Sequence, residues 1–342
     1  MTQADTPTRL ELQRGTATIL YGAPDCGSSR FLRSLAGIGG SEPAELRVDG
    51  AAVRTAALVL GDALLFPHMT LRDNFSLGPQ QQGLRRQDVV ERVLLAARSM
   101  GVDSMLARKP AELSAIERLR AGVARALCVA PEVLLLDDVL QSVPVCDRAQ
   151  GRAYLHKLHR DLGLSVLIAT HDRRDALALG THLAWMQGGR IVQSGATRAL
   201  YESPATKDIA AALGDPPMNI LRATFAANGE YLTLSGAVDL RLHATWHELA
   251  GGTVWFGVRP EHLRVGPADE SALALKLERV EQQGAAHCLH GQIEGQPVAM
   301  IGAGFSDQCV GDKVWLHFAP HHVHWFDIKS GSRIAPTPSS AG

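Results

Sequence analysis

The stretch Gly22-Ala23-Pro24-Asp25-Cys26-Gly27-Ser28-Ser29-Arg30 has the frame of a phosphate-binding loop. It follows the apolar run Thr18-Ile19-Leu20-Tyr21 and precedes a helical pattern, Phe31-Leu32-Arg33-Ser34-Leu35. Gly22 and Gly27 keep the spacing of G-x-x-x-x-G-K-[ST]. In such a loop glycines let backbone N–H groups point at phosphate oxygens, at the positive end of a helix dipole. The lysine bridges the outer phosphates, and the hydroxyl after it holds magnesium. Here Ser29 stands at the hydroxyl position, but Ser28 stands where the lysine belongs. Arg30 offers a cation two residues further on, which on a helix faces another direction. A plain glycine-rich turn between strand and helix would give the same string, and both readings stand at this point.

Three more places could do chemistry. Asp137 and Asp138 end the apolar run at residues 133–136. Neighbouring carboxylates there suit metal contact and general-base work, or they cap the following loop. His171 follows Ile168-Ala169-Thr170 and reads as a proton-handling group or as a core histidine. Ser114 reads as the N-cap of the helical pattern "ERLRAGVARAL", with or without a phosphate role. In "HFAPHHVHWF" (317–326), His317 and His321 have i, i+4 spacing, but Pro320 argues against a helix and so against a metal site.

These residues must be positioned by a chain of 342 residues, long enough for two domains. It is 46% hydrophobic and 20% charged, ordinary for a globular protein, and its formal charge of -1 gives no field that would draw nucleic acid. No apolar stretch is long enough to span a bilayer, and the first residues lack a signal peptide's apolar core. Five scattered cysteines without a C-x-x-C pair suit free thiols in a reducing compartment.

Residues 16 to about 213 alternate strand and helix patterns: strands at "TATILY", "AALVL", "EVLLLDD" and "LSVLIATHD", and helical spacing over 86–107. "LAWMQGGRIVQSG" predicts a hairpin turning at Gly188 and Gly189. Buried strands alternating with helices predict a parallel α/β sheet. Two prolines in "GDPPMN" (214–219) mark a linker, beyond which short β-like runs predict a small all-β domain. Ser, Pro, Gly and Ala fill the end of the chain, predicting a frayed tail.

Taken in order, "GDALLFPHMTLRDN" (61–74), "ELSAIERLRAGVARAL" (112–127), "VLLLDDV" (133–139) and "IATHDRRDALALG" (168–180) resemble the ATPase subunits of ATP-binding cassette (ABC) transporters. The resemblance is to the importer subfamily serving sugars, polyols, glycerol phosphate, iron or polyamines. "ALYESPATKDIAAALG" (199–214) and "GVRPEHLRV" (257–265) are similar to its boundary segment and C-terminal β-domain, so nearly the whole chain is covered. The implied fold is α/β: a P-loop NTPase with a RecA-like core over 1–214, including a helical subdomain at about 72–118. A small all-β regulatory domain of TOBE/OB type follows over 215–330, then a flexible tail over 331–342.

Carried over residue by residue, the implied site is incomplete. The ATP-contacting loop is Gly22, Cys26, Gly27, Ser28, Ser29 and Arg30, with the lysine lost at Ser28. Ser29 and Asp137 are the implied magnesium contacts, Asp138 stands for the general-base glutamate one methylene shorter, and His171 matches the switch histidine. The glutamine that senses the terminal phosphate is Gly61, although Asp62 after it matches. The signature LSGGQ reads Leu113-Ser114-Ala115-Ile116-Glu117: its serine remains, both glycines are gone, and Glu117 adds an anion. The D-loop aspartate is Pro144. The aromatic hairpin that stacks on adenine in the family is expected to be missing, since the first strand matches a later one. The resemblance implies ATP and magnesium as ligands and a peripheral position on the cytoplasmic face of the membrane. It further implies permease membrane subunits and a second ATPase subunit, identical or paralogous, as partners. Loss of a charged group from a phosphoryl-transfer site removes several kcal/mol of electrostatic stabilisation. Hydrolysis by this chain is therefore expected to be weak or absent, the alternative being a pseudo-ATPase scaffold or regulatory partner.

Overall fold

Runs such as Ile19-Leu20 and residues 133–136 are apolar on consecutive positions, so they can be strands only where both sheet faces are covered. The computed structural model bears this out; it describes residues 8–38, 44–61, 65–234, 238–242, 244–284, 286–303, 310–335 and 339–340. The chain divides into two compact units, Met1–Leu200 and Tyr201–Gly342.

In the first unit the elements run β1 (Thr8–Leu12), β2 (Ala17–Tyr21), α1 (Ser28–Leu35), β3 (Ala44–Val48), β4 (Ala51–Ala52) and β5 (Ala56–Leu60). Then come α2 (Leu71–Gln81), α3 (Arg86–Ser99), α4 (Ala115–Leu127), β6 (Val133–Asp137), α5 (Arg148–Leu162), β7 (Ser165–Thr170), α6 (Arg173–Leu179), β8 (His182–Gln187) and β9 (Arg190–Ala196). The main sheet has the order β5-β6-β7-β2-β8-β9; its first five strands are parallel, and β9 returns antiparallel through the predicted hairpin at Gly188 and Gly189. Every residue of β2, β6 and β7 is buried. Each fully buried Leu, Ile or Val contributes about 1.5–3 kcal/mol, so this sheet carries much of the unit's apolar stabilisation. The helical spacing of 86–107 is realised only as far as Ser99; Gly101 and a short 3-10 turn at Asp103–Met105 follow. Helices α2, α3 and α4 pack on one another as the helical part of the unit.

The second unit is antiparallel throughout its two large sheets. A six-stranded sheet has the order Val238–Arg241, Tyr231–Leu234, Asn219–Phe225, Thr253–Val258, Val323–Asp327, Arg333–Ile334. A five-stranded sheet has the order Arg264–Val265, Lys313–His317, Leu273–Gln283, Ala286–Ile293, Gln296–Gly302. One apolar core serves both, with Leu221, Phe256, Leu275, Leu289 and Trp325 buried in it.

The expectations and the structure differ at two places here. By contacts the division falls before the proline break at 214–219. The helix Lys207–Ala212 joins the second unit, where Ala210 packs against Met218 and Phe326. The tail is not frayed from 331 onward: Arg333 and Ile334 form an edge strand on Phe326 and Trp325, and Arg333 N–H donates to Ala205 O. The histidines of the 317–326 string lie on separate elements, His317 ending one strand and His324 inside another. Asp62, the first seven residues and Cys309 lie outside the described residues.

Candidate functional site

Strand β2 ends at Tyr21, and the chain turns through residues 22–27 into α1. The turn closes with Cys26 N–H donating to Ala23 O at 3.0 Å. Gly27 caps the helix at φ 98, a left-handed conformation that a side chain would strain; a Cβ there would also stand 3.2 Å from the Cα of Gly189. The first N–H groups of α1 have no intrahelical acceptors, so they face outward at the positive helix end. Ser28, at 2% exposure, brings a short buried side chain and no charge.

Facing the loop are the ends of β6 and β7. The Ser29 hydroxyl donates to Asp137 Oδ1 at 2.9 Å. Burial raises the Asp137 carboxyl above its ordinary range, against the opposing effects of the Ser29 bond, Arg33 and His171. A hydroxyl and a carboxylate oxygen are hard donors, and together they fit magnesium. When bound, magnesium supplies positive charge to phosphate oxygens.

Asp138 follows at φ 46, a left-handed conformation that Asp tolerates better than most residues. Its backbone N–H donates to Ala169 O at 3.0 Å. Both carboxylate oxygens turn to His171: Oδ1 accepts the His171 backbone N–H at 3.3 Å, and Oδ2 lies 3.5 Å from Nε2. His171 Nδ1 lies 3.1 Å from Gly22 O, which can only accept, so the contact is a hydrogen bond in the tautomer with the proton on Nδ1. Burial raises the Asp138 carboxyl, while His171 opposes the rise. The histidine is held by α6, whose N-cap Asp172 accepts N–H bonds from Arg174 and Asp175. Asp172 and Asp175 are tied to α5 by Arg148 at 3.3 Å and Arg152 at 2.9 Å.

The remaining positions are explained by packing. At Gly61 a Cβ would stand 2.9 Å from Asp138 O, closer than neighbours tolerate. The residue type alone offers no chemistry there, and the structure supplies a steric reason. Pro144 caps the 3-10 turn Val145–Asp147. Ser114 caps α4: its hydroxyl accepts Glu117 N–H at 3.3 Å, and the Glu117 carboxylate accepts Ser114 N–H at 2.7 Å. That backbone bond holds the Glu117 carboxyl below its ordinary range. The anion expected beside phosphates is thus turned back onto its own helix end.

Two clefts flank the loop. An open one of about 620 Å³ is lined by Ser29, Arg33, Gly61, Asp137, Asp138 and Gln141. A smaller one of about 160 Å³ lies across α1, where Arg30 stands with Asp25, Cys26, Gly27, Gly188 and Gly189. The structure therefore brings Ser29, Asp137, Asp138 and His171 together and separates Arg30 from them; Ser114 lines neither cleft. Arg33 is the residue that the motif reading passed over. Its signal was its place four residues after Ser29, on the same helix face.

Comparison with known proteins agrees with this architecture. Residues 6–141 match the ABC transporter family model, 214–263 the MalK OB fold domain and 256–326 the TOBE domain. The chain is 31% identical over 340 residues to the sn-glycerol-3-phosphate import ATP-binding protein UgpC of Escherichia coli, covering 97% of this chain and 96% of that protein. The UgpC of Shigella boydii is 32% identical over the same 340 residues. A solved chain, cbiO1 of Clostridium perfringens, part of the ABC transporter complex cbiONQ, is 20% identical with a TM-score of 0.48, over 56% of this chain and 80% of that one. With its phosphate-loop frame, its strand-end acids and its OB and TOBE regions, the chain belongs to the ATP-binding subunits of ABC importers.

Proposed function

We propose that this chain is an importer's ATP-binding subunit in which the nucleotide cradle persists and hydrolysis is weak or absent. The observation that carries the reading is Ser28, buried and uncharged at the lysine position of an otherwise intact loop. The lysine's loss removes the cation from the terminal phosphates, where charge builds up during transfer. Asp138 compounds it. A general base needs a free oxygen within hydrogen-bond reach of the attacking water. Asp138 is the shorter carboxylate and leans on His171, Oδ1 accepting its backbone N–H and Oδ2 lying 3.5 Å from Nε2, which draws it away from an attacking water. Asp137 with Ser29 supports magnesium and phosphate contact in the same cleft.

On this reading the subunit sits on the cytoplasmic face of the membrane, docked on permease subunits. Among the described residues no helix is long and apolar enough to cross a membrane. It pairs with a second ATPase subunit, to which Ser114 would present its helix start. A second reading, a pseudo-ATPase scaffold or regulatory partner of an intact ATPase, is favoured by one observation. Ser114 and Glu117 satisfy each other in a capping box, and Ala115 and Ile116 put side chains where glycines would admit a partner's nucleotide. The transported solute is a choice of the permease and binding protein, though glycerol phosphate is the substrate named for the relatives.

The test is magnesium-dependent ATP turnover by the purified protein, before and after Ser28→Lys. The expected result is no turnover above background in the unmodified protein. The Ser28→Lys variant should gain ATP affinity by about tenfold or more, as one charge-assisted phosphate contact would give. Its turnover should remain low, because Asp138 is still engaged by His171. Robust turnover by the unmodified protein contradicts the reading.

A further inference from the structure

We infer that Arg30 is the substitute phosphate anchor of this subunit, and that it holds the nucleotide from the side of the loop opposite the metal end. The inference rests on the proposed nucleotide cradle. Arg30 is the third residue of α1, so its guanidinium starts from the helix turn whose N–H groups are unpaired. It is exposed and makes no hydrogen bond or ion pair with any described residue. A guanidinium without a partner among the described residues, beside unpaired N–H groups, is suited to a phosphate, which it can grip with two parallel bonds.

The cleft around it is firmly built. Gly189 N–H donates to Cys26 O at 2.8 Å, fastening the β8–β9 turn to the loop. The Thr8 hydroxyl donates to Gly189 O at 2.9 Å, fastening the same turn to β1. At about 160 Å³ the cleft is too small for a whole nucleotide, for which pockets of roughly 300 Å³ or more are usual. Its size suits a single phosphate group. Asp25 shares the rim and opposes an anion there.

The placement has a consequence for selectivity. Ser29 and Asp137 mark the metal end of the loop, and Arg33 lines that cleft with them. Arg30 lines the other. A phosphate gripped by Arg30 is therefore an inner one, present in diphosphate and triphosphate alike. With the lysine absent, little remains to favour the triphosphate. The subunit should hold ADP and ATP with affinities within a factor of about three, a difference under 1 kcal/mol.

The experiment is equilibrium titration of the full chain with ATP, ADP and inorganic phosphate, in the unmodified protein and in Arg30→Ala, Arg33→Ala and Asp25→Asn. Arg30 is exposed, so its variant should melt at the unmodified temperature, which is checked alongside. The expected result is near-equal affinity for ADP and ATP, and a loss of about tenfold or more for both in Arg30→Ala, the scale of a charge-assisted bond. Asp25→Asn should bind both more tightly. If the unmodified protein binds nucleotide and Arg30→Ala binds it equally well, the anchor assignment fails while the cradle stands. If Arg33→Ala instead selectively weakens ATP, the anchor is at the metal end and the assignment also fails. If the unmodified protein binds neither nucleotide, the cradle reading itself fails, and the assignment with it.

Discussion

The strand ends and the helix starts of the candidate site have fared differently. At the ends of β6 and β7, Asp137 and His171 match the family pattern, and each has an internal partner: Ser29 for Asp137, Gly22 and Asp138 for His171. On the proposed reading, the groups that would meet a nucleotide at the starts of α1 and α4 are replaced, by Ser28 and by Ala115, Ile116 and Glu117. The exceptions at helix starts are Ser29 and Ser114, and each has an internal partner, Asp137 and Glu117. What matches the family here also ties the fold together. What departs from it has, in the family's pattern, the nucleotide as its partner.

That contrast is broken or sharpened by asking what each group does for stability. The largest effect belongs to the support beneath His171. Arg152 pairs with Asp175, which is 3% exposed. Arg152→Ala strands that carboxylate, and breaking a buried pair costs about 3–5 kcal/mol. Arg152 is a quarter exposed, so roughly 2–3 kcal/mol is expected in denaturant unfolding of the first unit. A loss near zero would show that His171 stands without this support.

Next comes Ser114→Ala, which removes a capping hydroxyl and should cost about 1 kcal/mol. The same change should leave the protein's own ATP affinity unaltered, since Ser114 lines neither cleft. A fall in affinity with no fall in stability would reverse the distinction drawn above.

The smallest effect is a pH dependence. Burial raises the Asp138 carboxyl in the folded state. The sign follows from linkage: a raised carboxyl costs the fold nothing below its ordinary value of 3.8 and destabilises it as pH rises through the raised value. Asp138→Asn keeps an acceptor for the His171 N–H and cannot ionise. It should melt higher than the unmodified protein at neutral pH, and the gap should close as pH falls toward 3.8. If the unmodified protein instead melts higher than Asp138→Asn at neutral pH, the contact with His171 outweighs burial.

Much of this was legible in the sequence because it depends on local patterns. Continuous apolar runs gave β2, β6 and β7, paired glycines gave the β8–β9 turn, and Ser114 with Glu117 three residues on is a capping box that can be read from its letters. What escaped depends on approach in space. Gly61 offers nothing as a residue type, and only the nearness of the Asp138 carbonyl explains it. Asp138 faces His171 from a left-handed backbone, which no spacing predicts. Arg30 and Arg33 are three residues apart, yet α1 delivers them to different clefts. The edge strand at Arg333–Ile334 is paired through partners far off in the chain, so its Ser- and Pro-rich surroundings mislead.

The measurement that bears most directly on the proposed retention of binding without chemistry is titration calorimetry of the unmodified protein with ATP, with and without magnesium, with phosphate release followed in the same cell. The account predicts a saturable binding heat and no release. Absence of binding, or binding followed by steady phosphate release, would contradict it.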